Sequence, residues 1–294
     1  MNKKKEDLRL DTLFSQVLTY RQSEHFHSFM NHIAGLTKLS PYNAMLVYMQ
    51  RPGAGKVATA LQWRNLGAEL KEGANPLVIL RPFGPVEFVF EEGDLIPETK
   101  PKELESIFEI KKGEVSKKEI YHLIDNLKGR GINVNFVTRG VNSAGYTTPS
   151  HNNNHISYYQ GNCRYTIQRI NDIVINSNLS DAEKFATLIH EVAHIYCGHT
   201  GDYGNSRHPW DDRILLPKNE CEFEAESVCW LITQRRGIDN PSHKYLAHFL
   251  NNNECIPEKI SIETILVVAG KIEQELETPQ KPIESLILSK TKSK

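Results

Sequence analysis

The chain has 294 residues, a formal net charge of −1 and 39% hydrophobic content. This is an ordinary globular composition with room for one large or two small domains, and it excludes a low-complexity chain or a protein coated by nucleic acid throughout. Lys3–Lys5 are followed by no apolar run and no stretch reaches the length of a membrane span, so a cytoplasmic protein with no membrane partner is expected. The five cysteines include no C-x-x-C pair, which fits reduced thiols.

In chain order, residues 7–35 read as helix, with Phe26, Phe29 and Met30 as apolar contacts. Ser40-Pro41 starts a second helix, serine as cap and proline in the first turn, and Arg51-Pro52-Gly53 ends it. A short helix at Ala60–Leu66 carries Trp63. Two β-rich runs, Leu77–Leu80 and Val86–Phe90, flank Pro82-Phe83-Gly84-Pro85 and read as a hairpin. Residues 96–118 turn charged and proline-bearing, and read as a linker or a peripheral segment between a front domain at 1–95 and a rear domain at 119–280. In the rear, a helix is expected at Lys117–Lys128 and strands at Ile132–Val137, His155–Tyr159 and Ile173–Ile175. Further helices are expected at 220–236, 242–250 and 262–276, and a Lys-rich tail at 281–294, frayed after Leu288.

The chemistry concentrates at His190-Glu191-Val192-Ala193-His194. On a helix, histidines four apart stand one turn above each other and reach the same metal ion, while Glu191 sits beside it as a proton acceptor. The helix is legible without the motif. Ser180 and Glu183 form a capping box; Phe185, Leu188, Ile189 and Val192 form a buried face, and Gly198 marks a stop. A catalytic zinc ion takes three protein ligands and keeps an open position. His199 lies one residue short of the position an extended metzincin motif requires. The acidic helix beginning at Asn219 offers Glu220, Glu222 and Glu224, and periodicity does not choose between Glu222 and Glu224. Glu226 reads as part of a solvated face.

H-E-V-A-H-I-Y-C-G-H, followed by E-F-E-A-E-S-V-C-W-L, resembles the zinc metallopeptidases of the ImmA/IrrE type, in particular the C-terminal domain of ArdC-type antirestriction proteins. That resemblance implies Glu224 as the third metal ligand, with Glu220 or Glu222 as the fallback. Leu39-Ser40-Pro41-Tyr42-Asn43-Ala44-Met45-Leu46, Gln62-Trp63, Gly67 and Lys71-Glu72-Gly73 resemble the N-terminal domain of the same family, which is associated with single-stranded DNA.

The residues give that association modest support. Residues 1–85 carry 11 Lys/Arg against 6 Asp/Glu. Tyr42, Tyr48, Trp63 and Phe83 are candidates to stack on unpaired bases beside Arg51, Lys56, Arg64 and Arg81. A phosphate loop is excluded at Gly53-Ala54-Gly55-Lys56, because Val57 stands where Ser or Thr would bind magnesium.

The expected architecture is therefore α+β: a helical and β-hairpin front domain, then a zincin-like domain with an active-site helix and small sheet. The expected activity is hydrolysis of a protein or peptide by one zinc ion on His190, His194 and Glu224, with Glu191 as base. Its setting is antirestriction or regulation, with single-stranded DNA as a second partner. Alternatives are a DNA-binding antirestriction protein with a vestigial protease, and a repressor-cleaving protease without DNA binding. Asp172–Ile175 and Ile156–Tyr159 are candidates to pair with substrate backbone, and Tyr146, His199 and His208 are candidates to stabilise an oxyanion.

Overall fold

The computed structural model of the protein describes residues 23–81, 84, 86–110, 113–140, 143–150, 154–238 and 256–292. The chain forms two compact units, Met1–Lys112 with Gln234–Gly237 and Ala247–Glu258, and Gly113–Thr233 with Ile238–Leu246 and Lys259–Lys294. Helices and small sheets mix in both, and the class is α+β. Phe83, Cys255 and the helices expected at 7–22 and 242–250 lie outside the described residues.

In the first unit, α1 (Ser23–Gly35) and α2 (Pro41–Gln50) bury Phe26, Phe29, Ile33, Ala44 and Val47. The cap is the expected one: Ser40 Oγ accepts from Asn43 N–H, with Pro41 in the first turn. Beside them lies an antiparallel sheet of β1 (Val57–Thr59), β2 (Leu77–Leu80) and β3 (Val86–Glu91), in the order β1-β3-β2. The hairpin thus pairs in register, Leu77 opposite Val89 and Leu80 opposite Val86.

Strand β2 is an edge, and α2 closes it with side-chain amides. Asn43 exchanges two 3.0 Å hydrogen bonds with the Leu80 backbone, and Gln50 exchanges two of 2.8 Å with Val78. Backbone groups that would recruit another strand are satisfied locally. The charged stretch after residue 95 is not a free linker. Leu104 in α4 (Leu104–Phe108) joins Trp63, Ala58, Ala68 and Leu95 in a second small core, with Phe108 packed against it; Trp63 lies on α3 (Ala60–Asn65).

In the second unit, α5 (Lys117–Lys128) leads into β4 (Ile132–Val137). Strand β8 (Asn171–Asn176) is the centre of a sheet ordered β4-β8-β5, parallel to β4 and antiparallel to β5 (Gly145–Pro149). A second sheet runs β6-β7-β9, from β6 (His155–Gln160), β7 (Cys163–Gln168) and β9 (Ile287–Lys292). The tail expected to fray is therefore a strand through Lys292, because its backbone pairs with Cys163–Ile167 in β7.

Helices α6 (Asp181–Tyr196), α7 (Lys218–Arg235, through Thr233) and α8 (Ile262–Glu277) complete the unit. Glu275, 1% exposed, fastens three elements. It accepts from Arg130 Nε at 2.6 Å and from the Tyr196 hydroxyl at 2.7 Å, and the Tyr196 ring stacks on Trp210. A buried carboxylate is tolerated there because a guanidinium and a hydroxyl compensate its lost hydration. Among the described residues, no helix is long and apolar enough to cross a membrane, and Cys163, Cys197 and Cys221 are free thiols.

Candidate metal centre

Helix α6 forms as its sequence dictates. Ser180 Oγ accepts from Glu183 N–H, and the Glu183 carboxylate accepts from Ser180 N–H at 2.8 Å, closing the capping box. Phe185, Leu188, Ile189 and Val192 are fully buried, which fixes the rotation of the helix about its axis. Gly198 ends it at φ +79, and a Cβ there would collide with the Asp211 carbonyl. On the opposite side, β5 approaches so closely that a Cβ at Gly145 would lie 2.6 Å from Thr187 Cγ2. This contact places the strand beside the histidines.

Three atoms converge there. His190 Nε2 and His194 Nε2 lie 3.0 Å apart, and Glu222 Oε2 lies 3.5 and 3.6 Å from them. The group is one that can hold a metal ion. Its donors, two imidazoles and one carboxylate, are those a divalent transition ion takes in an open three-ligand site. The electrostatics agree. Burial opposes charge on His190, but Glu222 and Glu226 outweigh it and hold that imidazole up at about 10. Glu222 lies far below the usual carboxylate range through its contacts with His190 and His194. The carboxylates thus favour positive charge on His190, whereas burial, with His190 and His199 nearby, lowers His194.

Glu191 is 7% exposed and faces β5, where the Thr147 N–H donates to it. Burial pushes its carboxyl up to about 7; His190 pulls it down and Glu222 adds to the rise. All four side chains line a cleft of about 850 Å³, whose walls include Tyr146 and Thr147 of β5 and Ile214 and Leu216 beyond α6.

Glu224 does not join this set. Two residues past Glu222 on a helix is about 200° around the axis, so the two carboxylates point apart. Glu224 is fully buried on the other side, where Arg213 grips both its oxygens at 2.6 and 2.7 Å, and where it accepts from His199 Nε2 and Ser261 N–H. Glu226, one turn beyond Glu222, is not a solvated residue. It is 5% exposed, with Oε2 3.1 Å from His190 Nδ1. The missed signal was the spacing: Glu222 and Glu226 are four residues apart, as are His190 and His194, and two such pairs interlock across facing helices. Glu220 is buried, outside both carboxylate–histidine contacts.

Of the oxyanion candidates, Tyr146 and His199 line the cleft, while His208 contacts the Trp210 carbonyl and does not. Both ring nitrogens of His199 are engaged, by His194 and Glu224. The Tyr146 hydroxyl accepts from Arg139 Nη2 at 2.9 Å. Strand β8 cannot receive substrate backbone, because β4 and β5 occupy its two edges; β5 is the edge strand beside the helix.

The residues expected to touch DNA are not assembled into a comparable site. Trp63 is 0% exposed and its indole N–H donates to the Phe90 carbonyl, so it has no face to offer a base. Arg51 binds Glu91 and Asp94, and Lys56 binds Glu92 and Glu105. Tyr42 is half-buried, Tyr48 packs on Phe29 and His32, and Arg64 is exposed.

Residues 148–228 match the peptidase family model described as the IrrE N-terminal-like domain, so that segment is similar to a peptidase-family domain. Among solved structures, it is similar to the antirestriction protein ArdC of plasmid R388. The metal-free structure matches at 16% identity and TM-score 0.33, over 81% of this chain and 82% of that one. The Mn(II)-bound structure matches at 14% identity and TM-score 0.33, over 86% and 98%. No curated protein matches the chain.

Proposed function

We propose that the protein is a zinc-dependent endopeptidase whose ion is held by His190, His194 and Glu222, with Glu191 as general base. The observation that carries this reading is the convergence of His190 Nε2, His194 Nε2 and Glu222 Oε2 beside a buried carboxylate in an open cleft. When bound there, a divalent ion supplies Lewis acidity, polarising a carbonyl and acidifying water.

The chain's own residues supply the rest. Glu191, steadied by the Thr147 N–H, takes the proton of the attacking water and delivers it to the leaving amine; such a base contributes about 10²–10⁴ in rate. Glu226 orients His190 through Nδ1. The outer edge of β5 offers backbone groups to an extended substrate, which would bind as an added strand. Tyr146, its hydroxyl anchored by Arg139, is the donor best placed to face a developing oxyanion.

The cleft's openness fits a protein or peptide chain. An antirestriction or regulatory setting, with single-stranded DNA as second partner, rests on the sequence motifs of the two halves. Glu191→Gln should retain zinc and lose cleavage of unfolded casein by about 10²-fold or more. Equal cleavage by parent and variant would remove Glu191 from the reaction.

A further inference from the structure

The two histidines of the centre are supported differently. His190 Nδ1 meets a carboxylate directly, Glu226 at 3.1 Å. His194 Nδ1 meets another imidazole, His199 Nδ1 at 3.0 Å, and His199 Nε2 in turn meets Glu224 at 3.0 Å. Building on the metal reading above, we infer that His199 is a positioning residue, fixing His194 in the tautomer that binds the ion, with Glu224 and Arg213 as its anchor.

The hydrogen bookkeeping allows one direction. The Arg213 guanidinium only donates, so both Glu224 oxygens accept from it. The two-pronged guanidinium pair and the Ser261 N–H, at 2.7 Å from Oε1, are the surroundings of an ionised, acceptor-only carboxylate. An ionised carboxylate cannot donate, so His199 Nε2 must carry the hydrogen. Nδ1 of a neutral His199 then has only a lone pair to offer, so His194 Nδ1 is the donor and His194 Nε2 keeps its lone pair. That Nε2 is the atom 3.0 Å from His190 Nε2 in the cleft. Each Glu224 oxygen accepts two hydrogens, and the Arg213 guanidinium sets the ligand's hydrogen through Glu224 and His199.

Cys197, His199 and Glu224 also form a group with metal-ligand spacing. The same guanidinium argues against an ion there. Arg213 and the Ser261 N–H already occupy Glu224, and a cation would face the positive charge that compensates it.

The test is zinc affinity of the full chain, by competition with a chromophoric chelator, for parent, His190→Ala, His199→Leu and His199→Asn. Leucine keeps the volume and loses the acceptor; asparagine places an acceptor oxygen near the Nδ1 position and gives up the ring. Parent binding of one equivalent, with His199→Leu weaker by about 10- to 100-fold and most of the affinity restored in His199→Asn, is the expected result. Leucine matching the parent, or outperforming asparagine, would assign His199 to packing and overturn the inference. The metal reading would survive that outcome if His190→Ala still abolished binding. A parent that binds no zinc removes both. Two equivalents, one lost in His199→Leu, would place an ion on Cys197, His199 and Glu224 and refute the relay. Apo melting temperatures monitor folding; if the leucine variant does not fold, His199→Ala replaces it in the comparison.

Discussion

The two units use charged and aromatic side chains in opposite ways. In the second, charges are gathered and left incompletely compensated: Glu191, Glu222 and Glu226 surround two imidazoles on the wall of an open cleft. In the first, Arg51, Lys56 and Trp63 have their polar groups matched inside the unit, by Glu91, Asp94, Glu92, Glu105 and the Phe90 carbonyl. An uncompensated cluster is costly in the apo state and is the mark of a ligand site. A compensated one is architecture, whatever its residue types suggest.

That contrast can be broken by substitution. The largest effect is expected at Glu222→Ala, which should eliminate zinc binding while the fold persists, read as metal content by atomic absorption. Retention of the ion would mean another carboxylate ligates it. Next, Trp63→Ala should destabilise the protein by about 3–5 kcal/mol, seen as a lower urea midpoint, because a fully buried indole leaves a cavity. A normal midpoint with weakened single-strand binding would instead restore Trp63 to a nucleic-acid surface. Glu224→Ala should cost about 3 kcal/mol by leaving the Arg213 guanidinium without its partner, unlike Glu222→Ala.

Smaller effects separate further cases. Ser180→Ala removes the cap of α6 and should cost about 1 kcal/mol. If the front unit binds single strands electrostatically, Arg64→Ala should lower the salt slope of binding by about one, and Arg51→Ala should leave it unchanged. Equal effects of the two would show that Arg51 leaves its ion pairs to reach phosphate.

Much of this was legible in the sequence where the signal is local. The Ser180–Glu183 box and the stripe from Phe185 to Val192 specify helix α6, and its period specifies that His190 and His194 share a face. The hairpin at Leu77–Leu80 and Val86–Phe90 was equally readable, from β-rich runs around a proline-rich turn. What stayed hidden depends on partners distant in sequence. Strand β9 needs β7, more than a hundred residues earlier, before Ser289–Lys292 has any reason to be ordered. Basic and aromatic residues near the front suggested a DNA surface, yet only the fold reveals that Arg51 faces Asp94 across the chain. Which of Glu222 and Glu224 faces His190 and His194 depends on the rotation of α7, and Glu222 and Glu226, four residues apart, share the side that does.

The account rests on where one ion sits. Anomalous diffraction at the zinc edge, from crystals of the full chain grown with zinc, locates it directly. A single peak between His190 Nε2, His194 Nε2 and the Glu222 carboxylate is the expected result. A peak beside Glu224, or none within reach of the two histidines, would contradict it.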